Sequence, residues 1–358
     1  MAADDDARVD IPLKASARDP ARLQARLRDW LRPRLGAGPD LTLSDVTAPG
    51  GTGVANETLL FAASWERDGR ARTEGFVARV ANERPLYIEA DIEIHAKVYE
   101  ALADVPDVPV PRVYGYEPDP GLLGAPFFVM ERIDGEVPGD QPSWVTAGFV
   151  HDASPARRRA MWEDAVRVLA ALHQVDAATF AFLAPRTTSG LEDHLAYWQR
   201  TMEQSPDNEV AARGYAWLLE HLPPSPPTAF SWGDARFANV MFRDDEVVAV
   251  FDWDTASMSG PLADLAWWRI MDGGAAAELP GIGTADELVA RWEEHTGRSA
   301  GDLTWYEVFT SFRLTCILNR LFHQMAADGL MPVEAAVEQA TRSGQALDLT
   351  TRLDALGG

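Results

Sequence analysis

The sequence predicts an α+β fold with two lobes, a strand-rich N-terminal lobe and a mostly helical C-terminal lobe. With 358 residues, 46% of them hydrophobic and 24% charged, the chain is globular in composition and too long for one ordinary core. Strand-like segments concentrate before residue 133, and helical spacing of apolar residues dominates after it. We therefore expect an N-terminal extension with a docked helix at 1–40, one lobe at 41–133 and a helical lobe at 134–358.

The N-terminal part is predicted to hold two helices and four strands. The first helix begins at Pro20, after Asp19 as its N-cap residue. Its apolar positions fall on one face, namely Leu23, Leu27, Trp30 and Leu31. The other elements, in chain order, are strands at 41–46, 57–63 and 75–80, a helix at 88–102 and a strand at 127–131.

The C-terminal part is predicted to be helical except for one pair of strands. Helical spacing predicts helices at 161–173, 191–200, 213–222 and from residue 262 onwards. The proline-rich segment 223–227 ends the third of these helices. It leads into a pair of short strands, 230–232 and 247–252.

Charge and cysteine content limit the partners and the compartment. The chain has 32 Lys and Arg residues against 55 Asp and Glu residues, a net charge of -23, which disfavours nucleic acid and anionic membranes as partners. No apolar run reaches the ~20 residues that a membrane span needs. The single cysteine, Cys316, cannot form an internal disulfide, and no signal-peptide pattern opens the sequence, so we expect a cytoplasmic protein. The oligomeric state leaves no sign in the sequence.

Three polar residues around a predicted turn carry the chemistry. Asp234 follows a strand-like segment, Asn239 lies five positions later, and Asp252 ends the returning strand. Buried carboxylates are costly unless a ligand or metal compensates them. Asn239 and Asp252 offer the hard oxygen ligands that Mg²⁺ takes together with phosphates, which leaves Asp234 to accept a proton from an attacking hydroxyl.

This block resembles the aminoglycoside phosphotransferase and choline-kinase-like family of small-molecule kinases. The resemblance extends from about residue 41 to about residue 268, and its most specific part couples Gly233-Asp234 and Asn239 to Asp252 and to the segment 260–266. It is strongest with actinobacterial candidate aminoglycoside phosphotransferases that carry Trp-Gly-Asp, and then with kinase-like domains of acyl-CoA dehydrogenase fusion proteins. It implies a protein-kinase-like bilobal fold with the nucleotide bound by the N-terminal lobe, ATP and Mg²⁺ as cofactors, and a small-molecule acceptor.

The resemblance also implies a role for each matching residue. It makes Asp234 the catalytic base and Arg236 a cation beside the transferred phosphoryl group, and it assigns Asn239 and Asp252 to Mg²⁺. The residues that it assigns to the nucleotide are Gly51, Thr52, Gly53 and Asn56 in the covering loop, Arg79 at the phosphates, and Glu131 and Ile133 in the interlobe linker. Asp264 matches a structural aspartate that anchors the helix after it.

The chain departs from the family pattern at the phosphate-binding cation. Arg79 stands where a lysine is usual, and His95 stands where a helix glutamate that pairs with this cation is expected. Glu93 or Glu89 is an alternative partner for Arg79. This departure supports a second hypothesis, a nucleotide-binding pseudokinase that acts as a sensor or scaffold. A protein kinase is disfavoured because only about ten residues separate Asp252 from Leu262 and no Ala-Pro-Glu follows.

The acceptor is not identified by the sequence. An aminoglycoside needs clustered carboxylates, and the helical lobe offers acids that either form such a cluster or face solvent: Glu192, Asp193, Glu203, Glu293 and Glu294. The tryptophans of the same lobe, Trp267 among them, favour a more hydrophobic acceptor, although most are expected in the core. His173 is interpreted as a core residue, and no histidine pair has the spacing of a zinc site.

Overall fold

The structure, a computed structural model, describes residues 20–48 and 56–357. The predicted N-cap residue Asp19 and the predicted nucleotide-loop residues Gly51, Thr52 and Gly53 lie outside the described residues. Asn56, the last residue of that predicted loop, is described.

The N-terminal part contains one antiparallel sheet of five strands in the order β1-β2-β3-β5-β4. Its elements are α1 (Pro20–Leu35), β1 (Thr42–Leu43), β2 (Asn56–Arg67), β3 (Arg70–Ala81), α2 (Ile92–Leu102), β4 (Val113–Glu117), α3 (Pro120–Leu123) and β5 (Phe127–Glu131). Asp68 and Gly69, both with positive φ, join β2 to β3 in the two-residue turn that matches strand twist.

The two faces of this sheet pack against different partners because side chains alternate along a strand. Phe76 and Ala78 of β3 belong to a core shared with α1, which includes Leu27 and Leu31. Val77, between them, belongs to the larger core that contains α2 and the helical half of the chain. One face of the sheet is therefore covered by α1, and the other face packs against α2 and the helical half of the chain.

The C-terminal part is helical around the long, mostly buried helix α11. Its elements are α4 (Phe149–Asp152), α5 (Pro155–Leu172), a 3₁₀ helix (Ala177–Leu183), α6 (Gly190–Glu203), α7 (Glu209–Glu220), a 3₁₀ turn (Phe237–Asn239), β6 (Val240–Arg243), β7 (Glu246–Val250), α8 (Pro261–Asp272), α9 (Ala275–Glu278), α10 (Ala285–Thr296), α11 (Thr304–Ala327), α12 (Val333–Arg342) and α13 (Gly344–Ala355). Helices α7, α8, α12 and α13 pack against α11.

The structure corrects two predicted elements. The second helix begins at Ile92 rather than at residue 88, because Asp91 caps it by accepting a hydrogen bond from the N–H of Glu93. The segment 247–250 pairs with β6 and not with 230–232, since Asp244 and Asp245 form a tight turn with positive φ directly between β6 and β7. The strand β4 is an element that the sequence did not predict.

The helices of the described residues were compared with the requirements of a membrane span. Among residues 20–48 and 56–357, no single helix is long and apolar enough to cross a membrane. Helix α5 and the 3₁₀ helix after it meet the length and composition requirement only as a pair, with a 78° bend between them.

Candidate active site

The loop that contains Asp234 is held in place by a buried carboxylate, Asp264. Asp264 accepts hydrogen bonds from the N–H groups of Trp232 (2.7 Å) and Gly233 (2.8 Å) and from the hydroxyl of Ser231 (2.8 Å). His173 Nε2 lies 2.9 Å from the same carboxylate. The loop therefore has a fixed backbone just before Asp234, as expected for a structural aspartate.

Gly233 has a conformation that a larger residue would not adopt without strain. Its φ is 92°, and a Cβ atom at this position would lie 2.2 Å from the carbonyl oxygen of Thr255. The glycine thus lets the loop pass close to the backbone of the neighbouring segment. This close approach brings Asp234 next to the residues that follow β7.

The carboxylate of Asp234 is held from several directions. Asn239 Nδ2 donates to Oδ2 at 2.8 Å, and Trp267 Nε1 donates to Oδ1 at 2.6 Å. Arg236 Nε lies 3.3 Å from Oδ1. The side chain keeps 17% of its surface exposed, so a ligand can reach it.

Arg236 is engaged mainly by a residue that sequence analysis missed, Asp140. The guanidinium donates to both oxygens of Asp140, at 2.7 and 2.8 Å. Despite the opposing effect of burial, the charges of Asp234 and Asp140 raise the pKa of Arg236. Arg236 therefore remains cationic beside Asp234, although one side of it is already neutralised.

Asp252 lies in a cluster of negative charge. It has a left-handed backbone conformation with φ 64° and follows β7 directly. Burial first, and then the carboxylates of Asp254 and Asp234, raise its pKa well above the usual range, and Arg79 only partly opposes them. The cluster lacks the positive charge that it needs to be fully ionised.

Asp254 connects this cluster to two elements of the sheet region. Its Oδ1 accepts a hydrogen bond from Asn56 Nδ2 at 3.0 Å and lies 3.3 Å from His95 Nε2. Although burial acts in the opposite direction, the neighbouring His95 lowers the pKa of Asp254. Its Oδ2 is buried without a hydrogen-bond partner in the described part of the chain.

The alternatives for the partner of Arg79 are resolved by these contacts. Arg79 Nη1 donates to Thr58 Oγ1 at 2.6 Å on the adjacent strand. Glu93 pairs with Lys97, and Glu89 pairs with Arg186 and Arg200, so neither glutamate supports Arg79. His95 binds Asp254 instead, which means that the helix contacts the loop after Asp252 rather than the strand cation.

Glu131 and Ile133, the predicted linker residues, lie where the sheet ends. Glu131 is the last residue of β5, and its N–H donates to the carbonyl of Arg112. Ile133 follows outside any strand or helix. The two residues are thus at the junction between the sheet and the helical half of the chain.

The side-chain oxygens of Asn239 and Asp252 are of the kind that binds Mg²⁺. Asn239 uses its Nδ2 for Asp234, so its Oδ1 is left as an acceptor, and Asp234 in turn acts on the pKa of Asp252. Mg²⁺ binds through one or two such protein oxygens together with phosphates and water. Among the residues that the structure describes, no group of three or more His, Cys, Asp or Glu residues is suited to hold a metal alone.

The described surroundings of Asp234 on the helical side are aromatic. Burial, followed by the charges of Asp234, Asp252 and Asp254, raises the pKa of Tyr87 well above its usual range. The ring of Tyr87 makes an edge contact with Trp198, which in turn packs against Tyr197. Tyrosine and tryptophan rings therefore lie close to the carboxylate cluster.

The acids proposed as an amine-binding cluster are engaged elsewhere. Glu192 and Asp193 accept hydrogen bonds at the start of α6, from Ser189 and from the N–H of Arg186. The remaining acids have local partners too: Glu203 with Gln199, Glu293 with Ser299, and Glu294 with Arg291. They form no shared carboxylate site in the described residues.

The sequence missed the contacts that arise only in three dimensions. Trp267, Asp140 and Asp254 contact the predicted site residues but are separated from most of them along the chain. The one signal available was the Asp-Trp-Asp spacing of 252–254, which puts two carboxylates two positions apart.

The model of the phosphotransferase enzyme family matches residues 58–298. Among curated proteins, mouse acyl-CoA dehydrogenase family member 10 is 28% identical over 249 residues, which cover 64% of this chain and 22% of that protein. Human acyl-CoA dehydrogenase family member 11 is 26% identical over 265 residues, or 67% of this chain and 33% of that protein. The chain thus spans about a fifth to a third of the length of these relatives.

Solved structures show the same fold. A candidate aminoglycoside phosphotransferase from Ralstonia eutropha JMP134 has a TM-score of 0.67 at 23% identity, covering 92% of this chain and 98% of that one. The macrolide 2′-phosphotransferase MphH from Brachybacterium faecium has a TM-score of 0.53 at 18% identity, covering 88% and 98%. A thermostable mutant of aminoglycoside phosphotransferase APH(4)-Ia, solved with ADP and hygromycin B, has a TM-score of 0.53 at 16% identity, covering 91% and 98%. These likenesses confirm the predicted protein-kinase-like fold.

Proposed function

The chain belongs to the phosphotransferase enzyme family, and from this premise we propose that it transfers the γ-phosphoryl group of ATP to a hydroxyl group of a small molecule, with Mg²⁺ as cofactor. The observation that carries the proposal is the single cluster formed by Asp234, Asn239 and Asp252. Asn239 donates to Asp234, and the charge of Asp234 contributes to the raised pKa of Asp252. Proton acceptor and metal ligands are thus adjacent, as phosphoryl transfer requires.

In the proposed reaction Asp234 acts as the base. The acceptor hydroxyl passes its proton to a carboxylate oxygen of Asp234 while its oxygen bonds to the γ-phosphorus, and the bond from that phosphorus to the bridging oxygen of ADP breaks. Asn239 and Arg236 hold the carboxylate during this transfer. Since phosphoryl transfer depends chiefly on positioning and charge, a fixed carboxylate is a large part of what the protein supplies.

We assign the remaining contacts to nucleotide and metal. Arg79 is assigned to the α- and β-phosphates and backbone groups between Glu131 and Ile133 to the adenine edge, and Gly51, Thr52, Gly53 and Asn56 keep their predicted assignment to the nucleotide. Asn239 and Asp252 hold Mg²⁺, which when bound neutralises phosphate charge. Two local facts support this: Arg79 favours the ionised form of Asp252, and burial with the neighbouring carboxylates disfavours that form in the absence of a further cation.

For the acceptor we propose a molecule with an apolar or planar portion rather than a polycationic one. The support is the aromatic surroundings of Tyr87 and Trp198 and the local pairing of the five candidate amine-binding acids, which form no shared site in the described residues. Efficient turnover of kanamycin-like compounds, with nothing better among hydrophobic alcohols, would contradict this acceptor class.

A second candidate function, a nucleotide-binding pseudokinase, is favoured by two observations. His95 replaces the helix glutamate and binds Asp254, and Arg236 is partly neutralised by Asp140. Such a protein would bind Mg-ATP without turnover. Release of ADP that depends on an acceptor and on Asp234 excludes it.

The test compares two isosteric variants. Asp234→Asn keeps size but cannot take the proton, so Mg-ATP binding by calorimetry should be retained while turnover falls by about 10²–10⁴-fold. Asp252→Asn removes charge from the metal site and should both lower turnover and raise the Mg²⁺ concentration needed for nucleotide binding. Equal loss of metal-dependent binding in both variants would instead make Asp234 a metal ligand. Full activity in both variants would refute the proposed function.

A further inference from the structure

Trp267 makes a direct contact with the proposed base. It lies on α8, is 4% exposed, and donates its indole N–H to Asp234 Oδ1 at 2.6 Å. A hydrogen bond to an ionised carboxylate is about twice as strong as one between neutral groups. The short distance and the burial therefore make this contact a strong constraint on the carboxylate.

Trp267 is itself held by Arg313, a fully buried residue in the middle of α11. The centre of the guanidinium lies 4.2 Å from the ring centroid of Trp267, and 5.3 Å from that of Trp198. Two of its nitrogens, Nε and Nη1, are buried without a hydrogen-bond partner in the described residues. Stacking on aromatic faces is the interaction that stabilises a cation lacking such partners.

Arg313 also contacts the residue before the proposed base. Its third nitrogen, Nη2, donates to the carbonyl oxygen of Gly233 at 2.7 Å. Arg313 thus fixes the loop backbone next to Asp234 on one side and the indole that binds its carboxylate on the other. The buried Arg313 side chain therefore contacts both the backbone next to Asp234 and the tryptophan that binds the Asp234 carboxylate.

The two principal donors to Asp234 act on different oxygens. Trp267 binds Oδ1 and Asn239 binds Oδ2, so together they fix the plane of the carboxylate. Each carboxylate oxygen accepts more than one hydrogen bond, which leaves room for the acceptor hydroxyl. Without the indole, the contact that remains to Oδ1 among the described residues is Arg236 Nε at 3.3 Å, and the guanidinium of Arg236 also donates to Asp140.

We propose that Trp267, supported by Arg313, is a positioning residue that orients Asp234 for proton transfer. The inference rests on the proposed role of Asp234 as the base. Loss of the indole N–H should leave nucleotide binding intact, because the Trp267 side chain contacts Asp234 and Arg313 and makes no hydrogen bond to the described nucleotide residues Asn56, Arg79, Glu131 and Ile133. The effect should therefore appear in kcat and not in the KM for Mg-ATP.

The first experiment compares Trp267→Phe with Trp268→Phe. Both tryptophans are buried on α8, and only Trp267 donates to Asp234. We expect Trp267→Phe to lower kcat about tenfold, the effect of one hydrogen bond to a charged group, with KM for Mg-ATP within about twofold. Trp268→Phe should change neither by more than about twofold. Equal kcat losses in both variants would overturn the proposal.

The second experiment combines Trp267→Phe with Asp234→Asn. If Trp267 acts through the carboxylate, its substitution should have no further effect in the Asp234→Asn background. A tenfold loss in that background as well would show that Trp267 acts by another route and would overturn the proposal. Unchanged turnover in Asp234→Asn alone would instead refute the proposed function, so the two failures are distinguishable.

A measurement on the folded protein does not depend on turnover. In protein labelled with ¹⁵N-tryptophan, the indole N–H resonance that Trp267→Phe removes should shift in Asp234→Asn and stay in place in Trp268→Phe. Arg313→Met, which removes the stacked charge, should shift the same resonance. If the Trp267 indole resonance did not shift in Asp234→Asn, the hydrogen bond on which the proposal rests would be absent and the proposal would be overturned.

Discussion

Two groups of buried carboxylates lie close together in the chain and differ in how they are stabilised. Asp264 meets donors on both oxygens: Oδ1 accepts from Ser231 and the N–H of Gly233, and Oδ2 from the N–H of Trp232, with His173 alongside. Every donor belongs to the protein itself. Such a carboxylate needs nothing further.

Among the described residues, Asp252 lacks this support, and Asp254 has it on Oδ1, from Asn56 and His95, but not on Oδ2. Asp252 faces two other acids, which with burial raise its pKa, and Asp254 Oδ2 has no partner in the described residues. The difference indicates that burial of an acid is not by itself a sign of function. An acid whose donors are complete is structural, whereas an acid that still needs positive charge marks a place for a ligand cation.

The largest effect on stability is expected at Asp264, whose two carboxylate oxygens both accept hydrogen bonds. Asp264→Asn offers one acceptor oxygen where two accepted, and its amide would meet the N–H donors of the loop, so we expect a loss of about 3 kcal/mol in the free energy of unfolding. Urea unfolding measures it. Asp286→Asn, a change at a 96% exposed acid, is the matched control and should stay within about 0.5 kcal/mol. A small loss at Asp264 would remove the contrast between the two groups.

A fourth buried acid, Asp272, tests the contrast through the pH dependence of stability. Burial raises its pKa to about 7, although the N–H of Phe237 and the charge of Arg236 favour its ionised form. Between the unfolded pKa and this value the native state holds a proton that the unfolded chain has lost, so raising the pH favours unfolding. Relative to Asp272→Asn, the protein should lose up to about 1.4 kcal/mol per pH unit from about pH 4.5 to about pH 6.5. If the difference in the free energy of unfolding between the two proteins did not depend on pH, the pKa of Asp272 would not be raised in the folded protein.

The sequence predicted the parts of fold and site that depend on local patterns. Strand alternation and helical spacing located most elements, because burial of one face leaves a period in the sequence. The spacing of Asp234, Asn239 and Asp252 was visible because these residues are close in the sequence, on one turn and at the end of one hairpin. The pairing of β7 was predicted wrongly because sequence alone does not say which of two nearby segments becomes the partner strand.

Contacts between distant segments had no comparable signal. Glu89 and Glu93 were the alternatives to His95 as a partner of Arg79, yet each is paired with other basic residues. The support of Asp234 by Trp267 depends on how α8 packs against the loop, and no sequence period records that packing. Pairs of charged residues that are distant in the sequence are thus the part of a site that is hardest to predict from the sequence.

The smallest expected effect has the opposite sign from that at Asp264. In protein without metal or nucleotide, Asp252→Asn replaces an acid whose ionisation burial, Asp254 and Asp234 disfavour, and should raise the free energy of unfolding by about 1 kcal/mol. The same variant should lose part of the thermal stabilisation that Mg²⁺ with a non-hydrolysable ATP analogue gives the unchanged protein, because binding to the native state is what stabilises it. Urea unfolding in the presence of EDTA measures the stability of the metal-free protein. A thermal shift assay with Mg²⁺ and the ATP analogue measures the stabilisation by ligand. If Asp252→Asn destabilised the metal-free protein as Asp264→Asn does, Asp252 would be a structural acid, and the cation that the cluster requires would have to be sought at Asp254.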